Sequence, residues 1–199
     1  MYSLTQNEAR VMDFLVRNFK ERNSINEVGR RLKISPRGIY KILKKLEKIN
    51  AIKPEKIGNA IYYKINLDDE MGIKLTEYVL VQNELNTYSK VWAKDFEKLK
   101  DVALSCVLYG SVLKKGKEAR DIDVIIILEK KNFKKVYKKL EDIKLMSNKK
   151  VHDIMMSKED LAKNLRKNNK AMIDMIKTGK VLWGSEIIVE AIKNGASWK

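Results

Sequence analysis

The residues with the most chemistry in them lie between Leu108 and Leu128, in the run LYGSVLKKGKEARDIDVIIIL. It reads as a strand ending at Gly110-Ser111, a basic turn, and a second strand that opens with Asp121 and Asp123. Side chains two apart in a strand share a face, so these carboxylates project together from one sheet edge and can hold a cation between them. Gly110 places no side chain in front of its backbone, and the Ser111 hydroxyl beside it can approach phosphate oxygens. Cation and phosphate would then meet at one point. Taken alone, an Asp-x-Asp pair reads more readily as two solvated edge carboxylates than as a metal site.

The elements that must position this point follow from spacing. Asn132 to Ile143 is predicted to be a helix with Phe133, Val136, Tyr137 and Leu140 inward. Val151 to Met156 is a predicted strand in which Val151, Asp153 and Met155 share one face. His152, the only histidine, then points the other way and reads as packed or exposed rather than as a ligand. Ser157-x-x-Asp160 caps a helix carrying Leu161 and Leu165, Val181 to Trp183 is a strand, and a last helix runs from Ser185 to Lys193. Cys106, the single cysteine, cannot form an internal disulfide and sits in the apolar run Val102 to Tyr109, which implies a buried residue and a reducing, cytoplasmic compartment.

At these residues the chain resembles the nucleotidyltransferase superfamily of DNA polymerase beta, in particular its minimal branch, over roughly residues 101–199. The family pattern is strand, Gly-Ser, about ten residues, Asp-x-Asp on the next strand, and a third acidic residue on a later strand. Gly110, Ser111, Asp121 and Asp123 fill the first part, Asp153 in KKVHDIMMS is the natural third carboxylate, and GKVLWG looks like the closing segment. Two positions depart from the pattern: Gly116 falls one residue late, and Arg120 stands where a Ser commonly precedes the first Asp. The resemblance implies an enzyme with a two-metal Mg²⁺ site. Asp121 and Asp123 would hold the metal that binds a nucleoside triphosphate, and Asp123 with Asp153 the metal that activates an acceptor hydroxyl. Gly110 and Ser111 would hold the terminal phosphates, with Lys114, Lys115, Lys117 or Arg120 neutralising their charge. In minimal members the acceptor can be a protein side chain.

The first third reads differently. Thr5-x-x-Glu8 and Ser24-x-x-Glu27 open two helices, the first with Val11, Phe14, Leu15 and Phe19 on one face. Ser35 caps a third whose first residue is Pro36 and whose inner face is Ile39, Ile42, Leu43, Leu46 and Ile49. Its outer face carries Arg37, Lys41, Lys44, Lys45 and Lys48, with Tyr40 beside them. Ile52 to Ile65 is a hairpin turning at Gly58-Asn59, with Ile61, Tyr63 and Ile65 on one side. Three helices and a hairpin make a winged helix-turn-helix, and the stretch resembles the winged-helix domains of MarR- and ArsR-type transcription regulators. That resemblance puts Arg37, Tyr40, Lys41 and Lys44 at a major groove and Lys53 and Lys56 at phosphates. The alternatives are a merely solvated lysine face or a winged helix that contacts protein.

Charge agrees with a polyanionic partner. The chain has a net charge of +16, of which residues 1–67, with 15 Lys+Arg and 6 Asp+Glu, hold +9. Charged residues among the first apolar ones are unlike a signal peptide, and no apolar run is of spanning length.

The expected fold class is therefore α+β: a winged helix-turn-helix at 1–67, a helical connector at 68–100 and a small mixed-sheet nucleotidyltransferase domain at 101–199. Tyr78, Val81, Leu85, Tyr88, Trp92 and Leu99 in the connector follow a 3-4 spacing that suits either a homodimer seam through residues 74–99 or a helix lying on the second domain. The expected function is transfer of a nucleoside monophosphate from an NTP to an acceptor hydroxyl, with DNA or RNA bound by the first domain. The alternative is a transcription regulator whose second domain senses nucleotide without catalysis.

Overall fold

The structure is a computed structural model that describes residues 3–82 and 84–195. It holds two compact units, with the border between Leu80 and Val81.

In the first unit, helix α1 (Gln6–Arg17) opens at Thr5, whose Oγ1 accepts from the Glu8 N–H while the Glu8 carboxylate accepts from the Thr5 N–H at 2.8 Å. The two-residue strand β1 (Asn23–Ser24) leads into α2 (Ile25–Leu32), which Lys33 ends in a left-handed conformation, φ 56°. α3 (Pro36–Lys48) follows, capped by Ser35. β2 (Ile52–Ile57) and β3 (Ala60–Ile65) then form an antiparallel hairpin, and the sheet order is β1-β3-β2. Val11, Leu15, Val28, Ile39, Leu43, Leu46 and Tyr63 are buried. Ile61 was expected beside Tyr63 on the packed side but is 44% exposed, because it lies toward the turn end of the hairpin, across from Lys56. α4 (Glu70–Val81) closes the unit, and a Cβ at Gly72 would collide with the Asn66 carbonyl, so only glycine lets this helix approach so closely.

The second unit is built on a four-stranded mixed sheet, order β6-β5-β4-β7, of β4 (Ser105–Tyr109), β5 (Asp121–Ile127), β6 (Lys150–Met156) and β7 (Lys180–Trp183). β5 runs antiparallel to β4 and parallel to β6, the second connection crossing through α7 (Phe133–Leu145). α5 (Thr87–Phe96) and α7 bury Trp92, Phe96, Val136, Leu140 and Ile143 in one core with Ile122, Val124 and Ile126 of β5. α9 (Lys170–Thr178) and α10 (Ser185–Gly195) contact β4, and α8 (Lys158–Arg166) packs on α10. Beyond Asp123, every remaining residue of β5 is buried, so the strand offers polar chemistry only at its first end.

Two expectations fail here for packing reasons. Phe133 and Tyr137 are not inward: each is 48% exposed, and Val136, Leu140 and Ile143 alone make the buried stripe of α7. The apolar stripe of residues 74–99 is not one seam either. Its helix breaks after Val81, and Trp92 and Leu99 are consumed by the second unit's own core while Tyr78 and Val81 stay exposed. Asn83, within the span 74–99, and residues 196–199 of the expected second domain lie outside the described residues.

Candidate functional site

The register of β4 against β5 pairs Tyr109 with Asp123, which brings the Gly110 turn beside the start of β5. Gly110 has φ +79°, and a Cβ there would collide with the Asp123 carboxylate. The glycine is required twice, for its backbone and for the space the carboxylate takes. Ser111 follows in helical conformation and opens the four-residue helix α6 (Val112–Lys115), with no capping bond from its side chain.

Asp121 and Asp123 sit together on one face, their side chains 37% and 23% exposed. Partial burial, and next the charge of Asp121, push the Asp123 carboxyl above the usual carboxylate range, an effect that His152 opposes. Tyr109 is raised as well, first by burial and then by the Asp123 charge.

The third member of the cluster is not the expected one. In the parallel register of β5 and β6, Asp123 stands beside His152, and Asp153 beside Val124. His152 Nδ1 lies 3.7 Å from Asp121 Oδ2 and 3.5 Å from Asp123 Oδ1. Asp153 points to the opposite face, where it makes a 2.7 Å ion pair with Lys144 of α7 and is 15% exposed. The structure does not bring Asp153 to Asp121 and Asp123 as expected; the histidine beside them is exposed, as one of its two readings had it. The signal was present in the sequence. Val151 and Met155, the apolar neighbours of Asp153 two residues away on either side, mark its face as the core face. Among the described residues no group of three or more His, Cys, Asp or Glu is spaced to hold a metal.

Lys114, Lys115, Lys117 and Arg120 are all exposed on the turn between the Gly-Ser corner and β5. What holds that turn was not foreseen. Asn86, the cap of α5, donates from Nδ2 to the Val112 and Leu113 carbonyls at 3.0 and 3.1 Å while its Oδ1 accepts from the Ser89 N–H. The buried Ser89 hydroxyl donates to the same Val112 carbonyl at 3.3 Å. From the other side Lys149 Nζ donates to the Ala119 and Lys117 carbonyls at 2.7 and 3.2 Å. A segment read as connector thus clamps the loop on which phosphates would rest.

In the first unit, Arg37, Lys41, Lys48 and Lys56 are exposed and Tyr40 is 49% exposed. Three of the expected cations have intramolecular partners: Lys44 with Glu47 at 2.8 Å, Lys45 with Glu8 at 2.7 Å and Lys53 with Asp68 at 2.6 Å. The Glu8 side chain is only 3% exposed. Burial pushes its carboxyl up, but Lys45 and the Thr5 cap outweigh that and hold it low, so Lys45 fastens α3 to α1.

With this geometry in place, the family likeness has a definite location. Residues 92–186 match the family model of the polymerase beta nucleotidyltransferases, and the match spans Gly110, Ser111, Asp121, Asp123 and His152. Over that span the chain is similar to the nucleotidyltransferases of that family. No curated protein and no solved structure matches the chain. Among the described residues no helix is long and apolar enough to cross a membrane.

Proposed function

We propose that the second unit binds a nucleoside triphosphate with one divalent cation and transfers its nucleoside monophosphate to an acceptor hydroxyl, with pyrophosphate leaving. The observation that carries this reading is the pairing of Asp121 and Asp123 on one strand face, with the Asp123 carboxylate against the bare backbone of Gly110. Two partly buried like charges are a donor set that a hard cation would relieve, and carboxylate oxygens completed by phosphate and water suit Mg²⁺. Bound there, Mg²⁺ would neutralise charge that develops on the triphosphate as it is attacked. Imidazole is a poor partner for Mg²⁺, so with His152 in the third place these residues fit one such ion rather than two.

The chain's own groups supply the rest. The Gly110 turn admits phosphate oxygens close to the backbone, and the Ser111 hydroxyl is free of any capping duty. Lys114, Lys115, Lys117 and Arg120 surround that corner with positive charge. Asn86, Ser89 and Lys149 keep the loop in place before substrate arrives.

The first unit is proposed to be a winged helix-turn-helix that binds DNA or RNA. Support comes from the succession α2, tight turn, α3 and hairpin, and from Arg37, Tyr40, Lys41 and Lys48 on the outer face of α3 with Lys56 on the hairpin. Lys53 can leave its exposed partner Asp68, and Lys44 the half-buried Glu47, for phosphate at small cost. A second reading is favoured by His152 itself: without a third carboxylate, the second unit would bind nucleotide and set the affinity of the first without turnover.

The deciding test is incubation with Mg²⁺ and each α-labelled NTP, with and without cell extract, for wild type and Asp121→Ala/Asp123→Ala. Label on a discrete acceptor only with intact carboxylates establishes the transferase. Carboxylate-dependent NTP binding without label transfer establishes the sensor, and no NTP binding by wild type removes both readings.

A further inference from the structure

Residues 130–139 read KKNFKKVYKK, three lysine pairs repeated every four residues with no acidic residue among them. The run forms a 3₁₀ turn and the first half of α7. In an α-helix residues four apart are neighbours, so within α7 Lys134 stands beside Lys138 and Lys135 beside Lys139, each contact of like charge being unfavourable, and Lys130 and Lys131 add two cations just before the helix. The cations also crowd the positive end of the helix dipole, with no acid in the first turn to balance them. Lys131 is paired with Glu129, and Lys139 with Asp101 at 2.7 Å. Lys134 and Lys138 form no ion pair among the described residues.

Beside these lysines stand the two aromatic rings that the core does not use. Phe133 and Tyr137, 48% exposed each, hold their rings 11° from parallel with centroids 6.5 Å apart. A helix that needed only a solvated outer face would mix its charges and turn its aromatic residues inward, as Val136, Leu140 and Ile143 turn here. Sequences break local rules of this kind where a ligand compensates. A phosphodiester chain would relieve the repulsion between the lysines, and unpaired bases would cover the ring faces, whereas a duplex keeps its bases stacked on one another and offers the rings nothing.

We infer that the outer face of α7 is a binding site for single-stranded nucleic acid, with Phe133 and Tyr137 stacking on bases and Lys134, Lys135 and Lys138 contacting phosphates. The site is separate from the Asp121–Asp123 corner and from the proposed groove-binding face of α3, and it stands whether or not the second unit transfers nucleotides.

The test uses the full chain carrying Arg37→Ala/Lys41→Ala, so that the first unit's surface does not mask the second. Affinity is measured for a labelled twelve-nucleotide single strand of mixed pyrimidines and for the same sequence as a duplex. Phe133→Ala/Tyr137→Ala, at exposed positions, is expected to weaken single-strand binding about tenfold or more and to leave duplex binding unchanged. Lys134→Gln/Lys135→Gln/Lys138→Gln is expected to lower the slope of log affinity against log salt by about 2. Ultraviolet crosslinking of the unsubstituted chain to the single strand, mapped by mass spectrometry, should place adducts on Phe133 or Tyr137 without relying on any variant. Unchanged single-strand affinity in the aromatic variant, an equal loss on duplex, or crosslinks confined to other residues would each overturn the inference.

Discussion

The two faces of β6 carry neighbouring polar residues to opposite fates. On one face His152 is exposed and leans toward Asp121 and Asp123; on the other, one residue along, Asp153 is shut between the sheet and α7 against Lys144. Burial alone would push the Lys144 ammonium down, yet Asp153 and Glu141 hold it above the usual lysine range. The open face sets two carboxylates beside one imidazole, and the closed face pairs its acid with a lysine. The phase of the strand, rather than the kind of side chain, decides which acid is structural.

Substitutions on the two faces should therefore separate activity from stability. The largest effect is expected on the open face, where Asp121→Ala/Asp123→Ala should lower nucleotidyl transfer by about a thousandfold, measured by label transfer with no loss of stability. Next comes Lys144→Met, which strands Asp153 and should destabilise the second unit by about 2 kcal/mol in denaturant titration while NTP binding persists. The Lys144 contribution is fully present below the ordinary lysine pKa and is lost as pH rises through its raised folded value, so alkaline titration should erase the difference between Lys144→Met and wild type. His152→Asp, which supplies a third carboxylate on the open face, should raise Mg²⁺-dependent transfer about tenfold. No gain there, with Asp153→Asn abolishing transfer, would return Asp153 to the site and cancel the contrast. The smallest effect is a gain in stability. The Asp123 carboxyl is raised in the fold, so its charged form opposes folding above that pKa, and Asp123→Asn should stabilise the second unit at neutral pH by on the order of 1 kcal/mol. That gain should shrink as pH falls through the raised value, because wild type then protonates in the folded state.

Much of this was legible in the sequence, because it depends on local rules. The capping boxes at Thr5 and Ser157, the Ser35-Pro36 helix start, the hairpin at Gly58 and the Gly110 to Asp123 hairpin of strands all follow from neighbours within a few residues. The inter-strand register of β5 and β6 does not, since the two strands are joined through a whole helix. An error of one residue there exchanged His152 for Asp153. Phe133 and Tyr137 were misplaced for a related reason. They lie at the margin of the apolar stripe of α7, where periodicity alone cannot tell a core position from an exposed one. The clamp of Asn86 on the Val112 and Leu113 carbonyls was hidden because an asparagine before a helix already has a sufficient local explanation as its cap.

Cys106 lies in the middle of β4 with no exposed surface, and burial pushes its thiol far above the usual range. It is the only cysteine in the chain. A thiol reagent can therefore modify the native protein only at moments when the central sheet of the second unit opens. The rate of that modification is a clock for those openings. It reads the second unit alone, leaves the first unit unlabelled, and requires no added probe.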